Sequence, residues 1–334
     1  FWDCPLLTEI PKELIKLTTL DCHLCPLLTE IPSTLINLTT LNCSECPLLT
    51  EIPASLKNLT RIDCTDCPLI SEIPSTLKLT QLFCINCPLI SEIPASLVNL
   101  INLHCRKCPL ISEIPASLVN LTSLYCNECI NLEILPEDLP NLIHLDCNGC
   151  IRLTELPSQY LRLESLTCSG CINIDEIPGT YKLLKTLNCN GCEQITEIPS
   201  SFRKLRELNC SGTNILYIPY TLIYLRKLNI NNCPKLASIP DSLSDLRKIS
   251  GENCPSLLCV PENISRILSG THVKPICKIQ IDNTIEVEYD YNNNNNTSTY
   301  QIFLSKSHDD YINDFTNRNN IDDGLWNALC EIYL

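Results

Sequence analysis

"CSECPLLTEIPASLKNLTRIDCTDCPLISEIP" spans Cys43 to Pro74 and holds two CxxC pairs, Cys43 with Cys46 and Cys64 with Cys67. Such pairs serve as zinc ligands, redox dithiols or packing residues, and their recurrence along the chain decides among these roles. Leucines at 17, 38, 59, 79, 100, 121, 142, 163, 184, 205, 225 and 246 are 21 residues apart, with two intervals of 20. Twelve repeats follow, preceded by a partial one. With that leucine as position 1, the repeat reads LxxLxCxxCPxLTEIPxSLxN. Position 4 is Leu or Ile from Leu20 to Ile249, and position 12 is Leu or Ile from Leu28 to Leu257. Of 23 prolines, only Pro140 and Pro275 fall outside the two repeat positions that use this residue.

Positions 3 to 8 alternate polar and apolar residues, the pattern of a short strand with one face buried. Leu41 and Cys43 would point inward, whereas positions 3, 5, 7 and 8 face out. The proline after "EI" stops a second ladder strand, and "xSLxNL" returns the chain through a tight or 3₁₀-like segment. One repeat cannot bury its own leucines, but a stack can.

These residues resemble the leucine-rich-repeat family, in its short 21-residue class, with cysteine where many members carry an asparagine ladder. The resemblance covers about Cys4 to Pro261. It implies an α/β solenoid, a leucine-rich-repeat horseshoe with short parallel strands on the concave face and loops or 3₁₀ turns on the convex face. It also implies that the concave face binds another macromolecule. The richness in Asn and Ile is similar to that of leucine-rich-repeat proteins from AT-rich genomes such as giant viruses of amoebae. The expected organisation is a solenoid over residues 1–261, followed by a small α+β C-terminal cap or module over 262–334.

Of 25 cysteines, ten occupy position 6 (Cys22 to Cys210), twelve occupy position 9 (Cys4 to Cys254), and Cys259, Cys277 and Cys330 stand apart. Zinc needs four ligands converging on one point. Here nine complete CxxC pairs line up along one axis, and Thr213, Ile230 and Gly251 take cysteine's place where the pattern decays. Ile and Thr fill a small buried slot but cannot replace a thiolate. Free packing thiols are therefore the favoured reading, ahead of a metal site, disulfides or redox chemistry. No cofactor and no metal is expected, and so many free thiols fit a reducing, cytoplasmic setting. The sequons at Asn37 and Asn58 arise from the repeated "NLT".

The chain carries 38 acidic and 24 basic residues, a net charge of −14, so recognition of nucleic acid through bulk charge is not expected. No run of 18 apolar residues is present, and no membrane span or leader is expected. The start at Phe1 without a methionine suggests the remainder of a longer chain.

Function should sit where the repeat is broken. Position 5 is mostly Asp, Asn, Thr or Ser, yet consecutive repeats carry Phe83, His104 and Tyr125. With Ile85, Arg106, Lys107 and His144 on neighbouring outward positions, these form the candidate partner-binding residues, rimmed by Asp63, Asp66, Glu128 and Asp146. Aromatic and arginine side chains supply most interface hot spots; drift on an exposed surface is the competing reading.

Position 2 becomes Lys185, Arg206, Arg226 and Arg247 later on, beside Arg203, Lys204, Lys227 and Lys248. A solvated edge is the ordinary reading there, because no stacking aromatics stand out beside it. The glutamate column from Glu9 to Glu197 would bond within its loops, or meet a basic partner.

In the C-terminal region, "CKIQIDNTIEVEYDY" reads as a hairpin turning near Asn283, "STYQIFLS" as a third strand, and residues 309–320 and 323–334 as two short helices. Cys330 and the distant His308 do not make a thiol enzyme, although bacterial leucine-rich-repeat ubiquitin ligases carry a catalytic cysteine domain. The expectation is a monomeric, non-enzymatic protein-binding module. The alternative is a substrate adaptor of a ubiquitin ligase, or a host-directed effector, whose recruiting domain lies upstream.

Overall fold

In the computed structural model, residues 1–257 are described together with 260, 261 and 264 and the backbone of 284–288 and 299–303. Each repeat is one coil of a parallel β-solenoid, with a three-residue strand at positions 3 to 5. The chain divides into two compact units, 1–184 and 185–334. The first holds β1 (Thr19–Asp21), β2 (Thr40–Asn42), β3 (Arg61–Asp63), β4 (Gln81–Phe83), β5 (Asn102–His104), β6 (Ser123–Tyr125), β7 (His144–Asp146) and β8 (Ser165–Thr167). The second holds β9 (Thr186–Asn188), β10 (Glu207–Asn209), β11 (Lys227–Asn229) and β12 (Lys248–Ser250). It also holds an antiparallel pair, β13 (Thr284–Glu288) with β14 (Thr299–Phe303).

Within each unit, neighbouring strands pair parallel and in register, as in Leu20 with Leu41 and Leu208 with Leu228. Register follows from burial: the position-4 residue is buried on every strand from β1 to β12, and a one-residue slip would expose it. The sequence expectation for "STYQIFLS" is met by β14, but its partner β13 makes the hairpin's other arm. Asn283 and both expected helices lie outside the described residues.

The return limb meets the expectation of tight or 3₁₀-like turns. It is a chain of separate turns: the Leu35 amide donates to the Pro32 carbonyl at 3.2 Å, and the Leu38 amide donates to the Leu35 carbonyl at 3.0 Å. These turns do not overlap, and none extends into a helix over residues 1–257. Side chains then tie each limb to the one before it. Thr34, Ser55, Ser96 and Ser117 hydroxyls donate across 2.6–2.7 Å to carbonyls of the preceding coil. The amides of Asn37 and Asn58 donate to Ile15 and Ile36 carbonyls at 2.7 and 2.9 Å. This explains the "S" and "N" of the repeat, and the sequons as its by-product.

Cysteine has its own ladder. The Sγ of Cys46, Cys67, Cys87, Cys108, Cys129 and Cys150 donates at 3.0–3.1 Å to the carbonyl of a position-6 cysteine one coil earlier. A thiol here is both small filler and donor to a buried carbonyl. All 22 cysteines described are free, and those from Cys22 to Cys233 are buried. Burial pushes the Cys189 and Cys210 thiols well above their ordinary value, so they stay protonated. Where cysteine is replaced, Thr213 is fully buried and its hydroxyl donates to the Cys210 carbonyl at 2.6 Å. That coil is one residue short between Thr213 and the next buried slot, so Ile215 fills the slot and Leu216 is left half-exposed.

Position 8 closes the strand exit with a positive φ in every coil, from Leu24 at 58° to Asn253 at 58°. Four successive coils meet this with Gly149, Gly170, Gly191 and Gly212, the last at 69°. Replacing Gly212 by Ala would force a Cβ into this conformation and lower stability by about 1–2 kcal/mol, measured as a shift of the urea unfolding midpoint. Cys108→Ala, which removes both the bond to the Cys84 carbonyl and buried volume, should cost about 1–2 kcal/mol in the same assay.

Candidate functional site

Because β4, β5 and β6 pair in register, Phe83 stands opposite His104, and His104 opposite Tyr125. Parallel strands lie ~4.8 Å apart, close to the separation at which rings stack. The three rings therefore form one pile: centroids are 4.5 Å apart for Phe83 and His104, and 4.2 Å for His104 and Tyr125, with planes within 24° and 16°. The guanidinium of Arg61, on β3, lies 4.4 Å over the free face of Phe83 and also bonds the Gln81 side chain. Arg61 closes the pile by a cation–π contact.

At the strand exits beside the pile, Arg106 donates to Glu128 at 2.8 Å, and Lys107 lies 3.9 Å from the same carboxylate. One coil away, the Asn86 amide donates to Asp66 at 2.6 Å. Of the sequence candidates, the structure brings together Phe83, His104 and Tyr125, and joins Arg106 to Lys107 through Glu128. Ile85 is half-buried at the neighbouring strand exit. His144 is exposed but pairs with Ser123, so it stands in a different column from the rings. Arg61 escaped the sequence reading because its contact runs diagonally, from position 3 of one coil to position 5 of the next. The available signal was an arginine in a column that is otherwise uncharged Thr, Gln, Asn and Ser from Thr19 to Ser123.

One feature shows that this patch departs from what the fold prefers. In seven coils, the position-5 Asp or Asn side chain accepts the amide of position 7, as Asp63 does from Thr65 at 3.2 Å. Phe83 and Tyr125 have no acceptor for this bond and His104 does not make it, so each forgoes a contribution of about 0.5–1.5 kcal/mol. The positive φ of Lys107 and Glu128, 58° and 62°, is by contrast the rule at position 8.

Burial holds the His104 imidazole below its ordinary value of 6.5, with Asp63 pulling it up and Arg61 pushing it further down. Burial also raises the Asp146 carboxyl, against the amide bond from Asn148. The pile is thus uncharged at neutral pH, apart from the Arg61 end.

The leucine-rich-repeat family model matches residues 37–59 and 224–246. Those two segments match leucine-rich repeats, and the other coils share their 21-residue pattern and strand placement. Among solved structures, the functional domain of InlJ from Listeria monocytogenes is described as including a cysteine ladder. It is 23% identical, covering 75% of this chain and 57% of that one, with a TM-score of 0.53. A TLR13–ssRNA13 complex is 23% identical over 77% of this chain and 47% of that one, at 0.51. YopM from Yersinia enterocolitica WA-314 is 21% identical over 77% and 60%, at 0.50. At this identity the likeness is one of fold. The chain spans about half to three-fifths of the length of those structures. No curated protein matches it.

The sign of the His104 shift gives a prediction. Since the unfolded chain takes up this proton at higher pH than the folded one, the ring contributes stability above pH 6.5 that is lost as pH falls through its lower folded value. NMR titration should place the His104 midpoint below 6.5. His104→Phe, which keeps a ring in the pile, should lessen the fall in thermal midpoint between about pH 7 and 5.

Proposed function

We propose that this chain is a non-enzymatic protein-binding module, and that its contact surface is centred on the Phe83, His104 and Tyr125 pile. The observation that carries this reading is the pile itself: three neighbouring coils give up a stabilising turn bond to place large rings on an otherwise small and polar strand face. The manner of stacking narrows the partner. Both faces of His104 and both of Phe83 are covered within the chain. What the inner rings offer is edges and polar tips, rimmed by the Arg106–Glu128 pair. Edges suit the side chains and backbone of a protein surface, whereas nucleobases need open faces. The many free, buried thiols suit a reducing compartment, and the cytoplasm is the proposed setting. Residues 262–334 are assigned the role of shielding the last coil.

Peptides selected from a random display library on the wild-type protein provide the test. Against a Phe83→Ala, Tyr125→Ala double variant of unchanged circular dichroism, the selected peptides should lose about tenfold or more in affinity. Equal binding to both proteins would remove the pile from the contact surface.

A further inference from the structure

A second surface lies in the unit that begins at residue 185, at the opposite kind of departure from the repeat. Position 2, just ahead of the strands, carries Arg206, Arg226 and Arg247 in successive coils. Their backbones are directly stacked: the Arg226 amide donates to the Arg206 carbonyl at 2.7 Å, and the Arg247 amide to the Arg226 carbonyl at 2.9 Å. Like charges one coil apart repel each other even in water. In the acidic chain as a whole, with its net charge of −14, nothing in bulk composition calls for such a column.

Neighbouring side chains leave the charge open. Lys227 is paired with Glu207 at 2.7 Å. Among the described residues, no carboxylate lies within ion-pair distance of Arg203, Lys204, Arg206, Arg226, Arg247 or Lys248. Arg226 Nε is buried with no hydrogen-bond partner among the described residues, so the chain does not satisfy this guanidinium in full. An aromatic side chain is also present, contrary to the sequence expectation. Tyr224 is 54% exposed, two residues ahead of Arg226 and in the column of Lys204. Its companion Tyr220, on the same return limb, is 57% exposed.

A column of forked cations with an exposed ring at its side matches the requirements of a single-stranded nucleic-acid backbone. Guanidiniums take the phosphates, and the ring offers a face for a base. We infer that this edge is a site for single-stranded nucleic acid, separate from the aromatic pile on the strands. The stacked arginines hold consecutive phosphates, and Tyr224 stacks on a base. An acidic protein segment would use the arginines but gain nothing from the ring's face.

The experiment uses the full chain and a fluorescein-labelled fifteen-residue oligothymidylate, read by anisotropy. With three to four phosphates neutralised, affinity should fall roughly 18- to 49-fold between 50 and 200 mM salt. Arg206→Gln, Arg226→Gln and Arg247→Gln together should weaken binding about tenfold or more and flatten that salt dependence. Should this variant unfold, Arg203→Gln, Lys204→Gln and Lys248→Gln, all at exposed residues, give the same comparison. Tyr224→Ala should lower affinity about fivefold or more with the salt dependence unchanged. No binding at 50 mM salt, or equal binding by the arginine variant, would overturn the assignment. So would polyglutamate of equal length competing as well as the oligonucleotide while Tyr224→Ala has no effect, since the edge would then be a general anion surface.

Discussion

Everything in this molecule depends on one spacing: adjacent parallel strands pair in register at ~4.8 Å. That spacing makes each position of the 21-residue repeat into a column. Any side chain must be compatible with its own copy one coil above and one below, and any hydrogen bond formed once can be formed again. The leucines at positions 1 and 4 satisfy the first condition by packing, and the Thr, Ser and Asn of the return limb satisfy the second. Thr39 and Thr60 hydroxyls, for instance, donate to the carbonyls of Thr18 and Thr39 at 3.0 and 3.1 Å. Stability is accordingly a sum over coil interfaces, in which no single contact dominates.

Cysteine suits two of these columns because its side chain meets both conditions at once. It is small enough to stack on itself across the ladder. Its S–H reaches the carbonyl that the strand leaves behind as the chain turns out of the sheet, as Cys67 reaches Cys43 at 3.1 Å. Thr213 shows the same logic from the other side, since its buried hydroxyl finds a carbonyl of its own coil rather than of the coil before. Where the return limb has room, Tyr160 and Tyr181 extend the principle. Both rings are buried, and their hydroxyls donate to the carbonyls of Pro136 and Pro157 at 2.6 and 2.7 Å.

Periodicity made the columns legible in the sequence, so the strands, the inward leucines and cysteines, and the outward aromatics could all be placed beforehand. What periodicity does not carry is anything diagonal or local. Arg61 caps Phe83 across two different columns. The missing residue of the coil after Leu205 sits at one loop position out of several that the spacing alone allowed, and only burial shows that Ile215 took the slot. That the return limb's turns stop short of a helix follows from bond geometry, three residues apart and not overlapping, which a proline and a leucine do not announce. Positive φ at position 8 was visible where glycine stood, as at Gly149, and hidden where Leu24 or Lys107 adopts the same turn.

A repeat with such strong column rules also sets a scale for reading its exceptions. A substitution that merely drifts should keep the column's hydrogen bond, because losing it lowers stability with no return. At β4 to β6 the chain loses the turn bond in three adjacent coils. The ring stacking recovers part of that loss, about 0.5–1.5 kcal/mol per ring pair, so the pile is tolerated rather than required by the fold. The arginine column after Leu205 has no comparable recovery, since stacked cations repel and, among the described residues, no carboxylate lies within ion-pair distance of them. One surface is thus nearly balanced within the chain and the other is left with a surplus of charge. The difference separates a patch that can wait for a partner from an edge that is improved by one.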